Sequence, residues 1–146
     1  MKITALFVIL SFGFSRLAMA ADTPPTEVVQ IDHAKVDAAF AKGMPLLANS
    51  RYKISAGRRV TTGPVEIHAN DTDIFYVVEG SATFVTGGTT VDQTTKAPGE
   101  SNAKATIGGI THHLTKGDVI VIPKGVPHWF TAVDSTFLYF VVKVTE

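Results

Sequence analysis

The sequence predicts an all-β domain, a sandwich or barrel of short strands with one short helix before it. Two observations carry this. Segments rich in β-branched and aromatic residues recur at 51–54, 65–68, 74–78, 82–86, 112–114, 119–122, 129–133 and 137–144. Gly, Pro and Asp/Asn clusters separate most of them, as turn chemistry requires between short strands. Three of the segments, 74–78, 119–122 and 137–142, are apolar on both faces. A strand of that kind is covered on both sides, by a second sheet or by another subunit, so pairing of two copies through one sheet is expected.

The elements follow in order. Residues 1–20 read as a secretory signal peptide. Lys2 supplies the positive start, 3–14 are mostly apolar, and Ala18-Met19-Ala20 is a small-x-small cleavage site. The apolar run is too short for a comfortable membrane span. The mature chain would open at Ala21 and carry two net negative charges once Lys2 and Arg16 are gone. The expected location is therefore periplasmic or secreted, with no membrane attachment after cleavage. Residues 21–50 read as an arm and a short helix. Asp32 is placed to cap that helix, Val36, Ala39 and Phe40 recur at helical spacing, and Gly43 stops it. Residues 51–146 form the strand-rich domain. Within it, 87–105 is poor in large apolar residues and long for a connection, which predicts a mobile excursion or hairpin near one mouth of the barrel.

Composition sets limits on function. The 146 residues are one domain's worth and can bury a real core. Lys and Arg number 13 and so do Asp and Glu, with no basic stripe, which argues against nucleic acid. There is no cysteine, so neither disulfides nor thiolate ligands are available.

Two stretches carry chemistry. Gly117, Pro123, Gly125 and His128 lie in the spacing Gly-x5-Pro-x-Gly-x2-His, with Ala132 four residues on. Earlier, His68, Asn70 and Asp73 precede an apolar strand that ends at Gly80. Together they resemble the two sequence motifs of the cupin superfamily. Ala132 stands where the second motif has Asn. In the first, His68 takes the first His, Asn70 replaces the second, and Asp73 replaces the Glu. The resemblance implies a single-domain jelly-roll β-barrel with one divalent transition metal on His68, Asn70, Asp73 and His128. Two imidazoles and a carboxylate match the ligands of mononuclear non-haem iron sites, and Mn, Zn, Ni or Co suit the same donors. Asp71 is a rival carboxylate, and both aspartates can instead shape the turn.

His112 shares strand parity with Leu114, a core position, so it is expected inward and His113 outward. There His112 would complete the metal shell or act as a general base. Arg58 and Arg59 are candidates for a carboxylate substrate, and adjacent residues cannot both face inward. The resemblance allows dioxygenase, isomerase or lyase chemistry on a small organic molecule. The alternative is a non-catalytic domain that binds a small ligand or a partner protein with weak metal affinity. Cupins host many activities, so the fold does not choose.

Overall fold

The computed structural model describes residues 23–146; the expected signal peptide lies outside them. Helix α1 spans His33–Lys42. Asp32 caps it by accepting from the Lys35 N–H, and Gly43 ends it at φ +68°. Its Phe40 meets Phe140 of the sheet edge to face, with ring centroids 4.9 Å apart. No helix among the described residues is long and apolar enough to cross a membrane.

The rest is strand: β1 Pro45–Ala48, β2 Tyr52–Arg59, β3 Val65–His68, β4 Asp71–Thr86, β5 Thr89–Val91, β6 Thr94–Ala97, β7 Glu100–Ala103, β8 Ala105–Ile107, β9 Ile110–Thr115, β10 Val119–Ile122 and β11 His128–Thr145. The spine is the antiparallel pair β4 and β11, which runs from Thr86 opposite His128 to Asp71 opposite Thr145. One half of this pair is flanked by β10 on β4 and by β2 and β1 beyond β11. The other half is flanked by β9 on β4 and by β3, β7 and β6 beyond β11. The ladder is one bent sheet whose two halves face each other.

The fold-over can be read from two rings. Phe75 and Phe84 lie on the same strand, β4, nine positions apart. A straight strand would separate them by about 30 Å; their centroids are 5.8 Å apart. Burial shows where the strand turns. Inward positions are Asp71, Asp73, Phe75 and Val77, then Ala82 and Phe84, so parity flips between Val77 and Ala82. On β11 it flips between Phe130 and Phe137, where the register with β4 shifts. Gly80 sits at the bend with φ +80°, and a Cβ there would overlap the Thr136 carbonyl. Only glycine fits. The segments at 74–78 and 82–86 expected as separate strands are one continuous strand, because backbone pairing survives the bend. The same holds for 129–133 and 137–144.

Side chains fill the interior. Phe75, Phe84, Phe130, Phe137 and Tyr139 pack with centroids 4.5 to 6.2 Å apart. Burying each contributes about 1.5–3 kcal/mol. Tyr139 gains its space from Gly57, its cross-strand partner, where a Cβ would lie 2.7 Å from the ring.

Two features depart from the sequence reading. The sheet begins at Pro45, since β1 pairs with β2 as an edge strand, where proline is tolerated. Residues 87–105 do contain a hairpin, β6 with β7, but it extends the sheet instead of standing off as an excursion: β7 adds to β3, and β5 pairs with β8. Strands at or next to a sheet edge need few bulky apolar residues, so composition hid them.

Candidate metal centre

The start of β11, the end of β3 and the start of β4 meet inside one end of the fold. β3 delivers two side chains to this end, because alternate residues share a face. Val65 and Ile67 face outward, packed against Ala103 and Trp129. Glu66 and His68 face inward. Trp129 fixes the approach to β3 by donating its indole N–H to the Gly63 carbonyl at 2.6 Å. β4 contributes Asp73, which is only 2% exposed. β11 contributes His128, which follows the Pro123–Pro127 turn.

The inner atoms face one another. His68 Nε2 lies 3.5 Å from Asp73 Oδ2 and 3.8 Å from Glu66 Oε2. His128 Nε2 lies 3.8 Å from Asp73 Oδ2. One donor atom each from Glu66, His68 and His128 fits within 4.8 Å. Ligands about 2.0–2.2 Å from one ion are themselves about 3.0–3.5 Å apart. Small side-chain rotations would therefore bring these atoms onto a single ion.

Each donor is held from behind. His68 Nδ1 donates to Glu100 Oε2 at 2.6 Å. His128 Nδ1 donates to the Val126 carbonyl at 3.1 Å. Both bonds leave the Nε2 lone pair pointing inward. Glu66 Oε1 accepts from the Arg59 guanidinium at 2.7 Å, and Lys143 Nζ lies 2.8 Å from each oxygen of Asp73. Arg59 is itself seated on Phe130, 4.5 Å from the ring centroid, and donates to Tyr139 Oη at 3.0 Å.

Electrostatics agree with this arrangement. Burial keeps the His128 imidazole below its ordinary value, against the opposing pull of the Val126 carbonyl and Asp73. Burial pushes Glu66 up, but the charge and hydrogen bond of Arg59 prevail and hold it below the usual carboxylate range. Both shifts favour a neutral His128 imidazole and an ionised Glu66 carboxylate, the protonation a metal requires of its ligands. His68 Nε2 and His128 Nε2 are buried and have no hydrogen-bond partner. A buried polar atom without a partner costs about 1–3 kcal/mol, and these two nitrogens, unpartnered among the described residues, could be satisfied together by one ion.

The structure locates the other sequence candidates as follows. Asn70 is exposed beyond the end of β3, with its amide against Gly99, and is not among the inner donors. Strand β3 has ended there, so inward parity no longer applies. Asp71 is buried but engaged by Lys53 at 3.1 Å and Thr145 at 2.7 Å. His112 is half buried and His113 exposed. His112 pairs with Thr86 Oγ1 at 2.9 Å, and none of its hydrogen bonds reaches His68, Asp73 or His128. Arg59 turns inward and Arg58 outward.

Glu66 is the inward-facing candidate that motif matching missed. With Glu66 and His68 in the two His positions, Asp73 follows after four residues and Gly80 after six more. That register removes the short loop needed when His68 and Asn70 are paired. The signal was strand parity: Glu66 and His68 are two apart on one strand, whereas Asn70 lies past its end.

Comparison with known proteins places the fold. The family model described as cupin matches residues 19–146. No curated protein matches. A Klebsiella pneumoniae protein with a double-stranded β-helix domain aligns over 82% of this chain and 91% of its own, at 17% identity and a TM-score of 0.53. The cupin domain of Schizosaccharomyces pombe Cnp3 aligns over 71% of this chain and 64% of its own, at 10% identity and a TM-score of 0.53. A DMSP lyase from Ruegeria pomeroyi is 17% identical, with a TM-score of 0.47 over 66% of this chain, which spans only 39% of that one. Identities this low speak for fold alone. The family match over most of the chain, the jelly-roll ladder and the inward donors at the ends of β3 and β11 agree: this chain belongs to the cupin family.

Proposed function

We propose that the domain holds one divalent transition metal on Glu66, His68, Asp73 and His128 and acts with it on a small organic molecule. The observation behind this reading is the pair of buried, unpartnered Nε2 atoms, each fixed in direction by the bond at its Nδ1. Two carboxylates and two imidazoles suit Fe, Mn, Zn, Ni or Co. When bound, the ion would supply Lewis acidity, polarising a carbonyl, hydroxyl or carboxylate. The chain's own part is to aim the imidazoles, keep them neutral, and exclude water with Phe75 and Phe84, which pack against His128. Oxygenase, isomerase and lyase reactions all fit that description.

Elemental analysis and metal titration of protein purified without a histidine tag test this. About one ion per chain is expected for wild type and a strong loss for His128→Ala, with the melting transition retained. Undiminished stoichiometry in His128→Ala refutes the site. Absence of any metal from wild type favours the alternative, a ligand-binding domain without catalysis.

Two further expectations belong to this reading. Export is supported by the sequence of residues 1–20, and an intact mass beginning at Ala21 would verify it. Homodimerisation is supported by the outer face of β10 and β4, where Tyr76, Val119 and Val121 are 48%, 62% and 55% exposed. The patch is uncharged and lies on an edge strand, so a two-fold partner would bury the same residues on each side. Sedimentation of wild type against Val121→Lys decides it: dimer against monomer is expected, and identical profiles refute that face.

A further inference from the structure

We infer that the molecule this site takes is a small organic carboxylate, received by Lys143. The inference rests on the metal reading above and concerns its substrate class.

Charges must balance at this poorly hydrated end of the fold, where His68, Asp73 and His128 are all buried. Glu66 and Asp73 bring two negative charges; Arg59 and Lys143 bring two positive ones, each paired with one carboxylate. Without a metal, these four cancel. The imidazoles add nothing while neutral. A divalent ion on the inner oxygens then adds two positive charges that nothing inside offsets. Asp71 is already paired with Lys53 and leaves no charge over; Glu100 is a further acid beside His68, and its side chain is 41% exposed, so water screens it and it offsets at most one. The loaded site carries excess positive charge in surroundings where an unpaired charge is costly. An anion entering with the substrate restores the balance; a neutral molecule or a cation does not.

Geometry assigns the anion to Lys143 rather than to Arg59. Arg59 has three partners that a metal does not disturb: Glu66 Oε1, Tyr139 Oη and the face of Phe130. Among the described residues Lys143 hydrogen-bonds only to Asp73, whose Oδ2 is also the atom facing both imidazoles. A metal on Oδ2 leaves the ammonium with Oδ1 alone and frees donor capacity, since it carries three N–H groups. The Lys143 side chain is 22% exposed while that of Asp73 is 3% exposed, so solvent reaches the lysine but not the carboxylate it holds. A carboxylate bound at the ion beside Asp73 would take up the donor capacity freed on Lys143. The aromatic rings behind leave it little depth, which favours a small molecule.

Calorimetry on the full chain tests this with acetate as probe and acetamide as its neutral counterpart, with Zn2+ content measured on the same samples. Acetate should bind the Zn2+-loaded wild type, and acetamide should bind at least tenfold more weakly. Acetate should not bind the metal-free chain. Lys143→Met should keep or tighten Zn2+ binding, because a competing cation is gone, and should weaken acetate at least tenfold. Lys143→Arg should retain acetate, which guards against a folding defect in Lys143→Met. Equal binding of acetamide, or unchanged acetate binding in Zn2+-loaded Lys143→Met, overturns the inference while leaving the metal site intact. Weakened Zn2+ binding in Lys143→Met would show that the lysine only positions Asp73, which also overturns it. A wild type that takes no Zn2+ overturns both readings together.

Discussion

Glu100 offers a direct measure of how far the shell behind the donors matters. Glu100→Ala removes the carboxylate that accepts from His68 Nδ1 at 2.6 Å. His68 is then free to rotate or to put its proton on the inward nitrogen. Loss of such an outer partner lowers metal affinity by about 10–100-fold, or about 1.4–2.7 kcal/mol. Glu100 is 41% exposed, so water can replace part of its role, and the lower end, about tenfold, is expected. Glu100→Gln keeps an acceptor without the charge and should fall between wild type and alanine. Competition of each variant with a chromophoric chelator for Zn2+ gives the affinities; thermal melts taken alongside should differ little, because the side chain is 41% exposed and fills no part of the core. An alanine variant with wild-type affinity refutes the role assigned to this carboxylate. A matching collapse in melting temperature would refute it too, by making the effect one of folding.

Gly57→Ala places a Cβ 2.7 Å from the Tyr139 ring, so the ring must shift and strain its bond to Arg59; a loss of about 1–3 kcal/mol in denaturant unfolding is expected. Phe84→Ala empties a fully buried position that touches Phe75, Phe130 and His128, and should cost about 3–5 kcal/mol in the same assay. Metal-free protein should lose stability on acidification below about pH 6.5. Burial holds folded His128 below its ordinary 6.5, so between those two values the unfolded chain binds the extra proton. That contribution is complete above 6.5 and gone once the pH has fallen past the folded value. Glu66, held low by Arg59, adds a second loss of the same sign below 4.5. Melting temperatures across this range should fall in two stages, and a flat profile down to about pH 5 would contradict the first.

The sequence was most legible where local chemistry decides structure. The helix with its Asp32 cap and Gly43 stop, and the strands at 65–68 and 119–122, all follow from spacing and turn residues. It was least legible where long-range pairing decides. β7 carries Glu, Ser, Asn and Ala, and it is a strand because β3 offers an edge, a fact absent from its own composition. Glu66 was hidden for another reason. A motif that expects histidine directs attention to His68 and onward to Asn70, while the pleat points the other way, back to Glu66. Lys143 could not be read at all, since only the β4–β11 register puts it beside Asp73.

That register also orders events as the chain folds. Thr86 and His128 close the shortest loop of the β4–β11 ladder, and Asp71 and Thr145, 74 residues apart, close the longest. Zipping should run from the first end toward the second, on the millisecond-to-second scale of domains with such distant contacts. Asp73 then reaches His128 only at the end, when the two halves of the sheet close on each other. An ion gripping both halves would be absent from the transition state. It should leave the folding rate nearly unchanged and slow unfolding instead, acting as a clasp that prolongs the life of the native state.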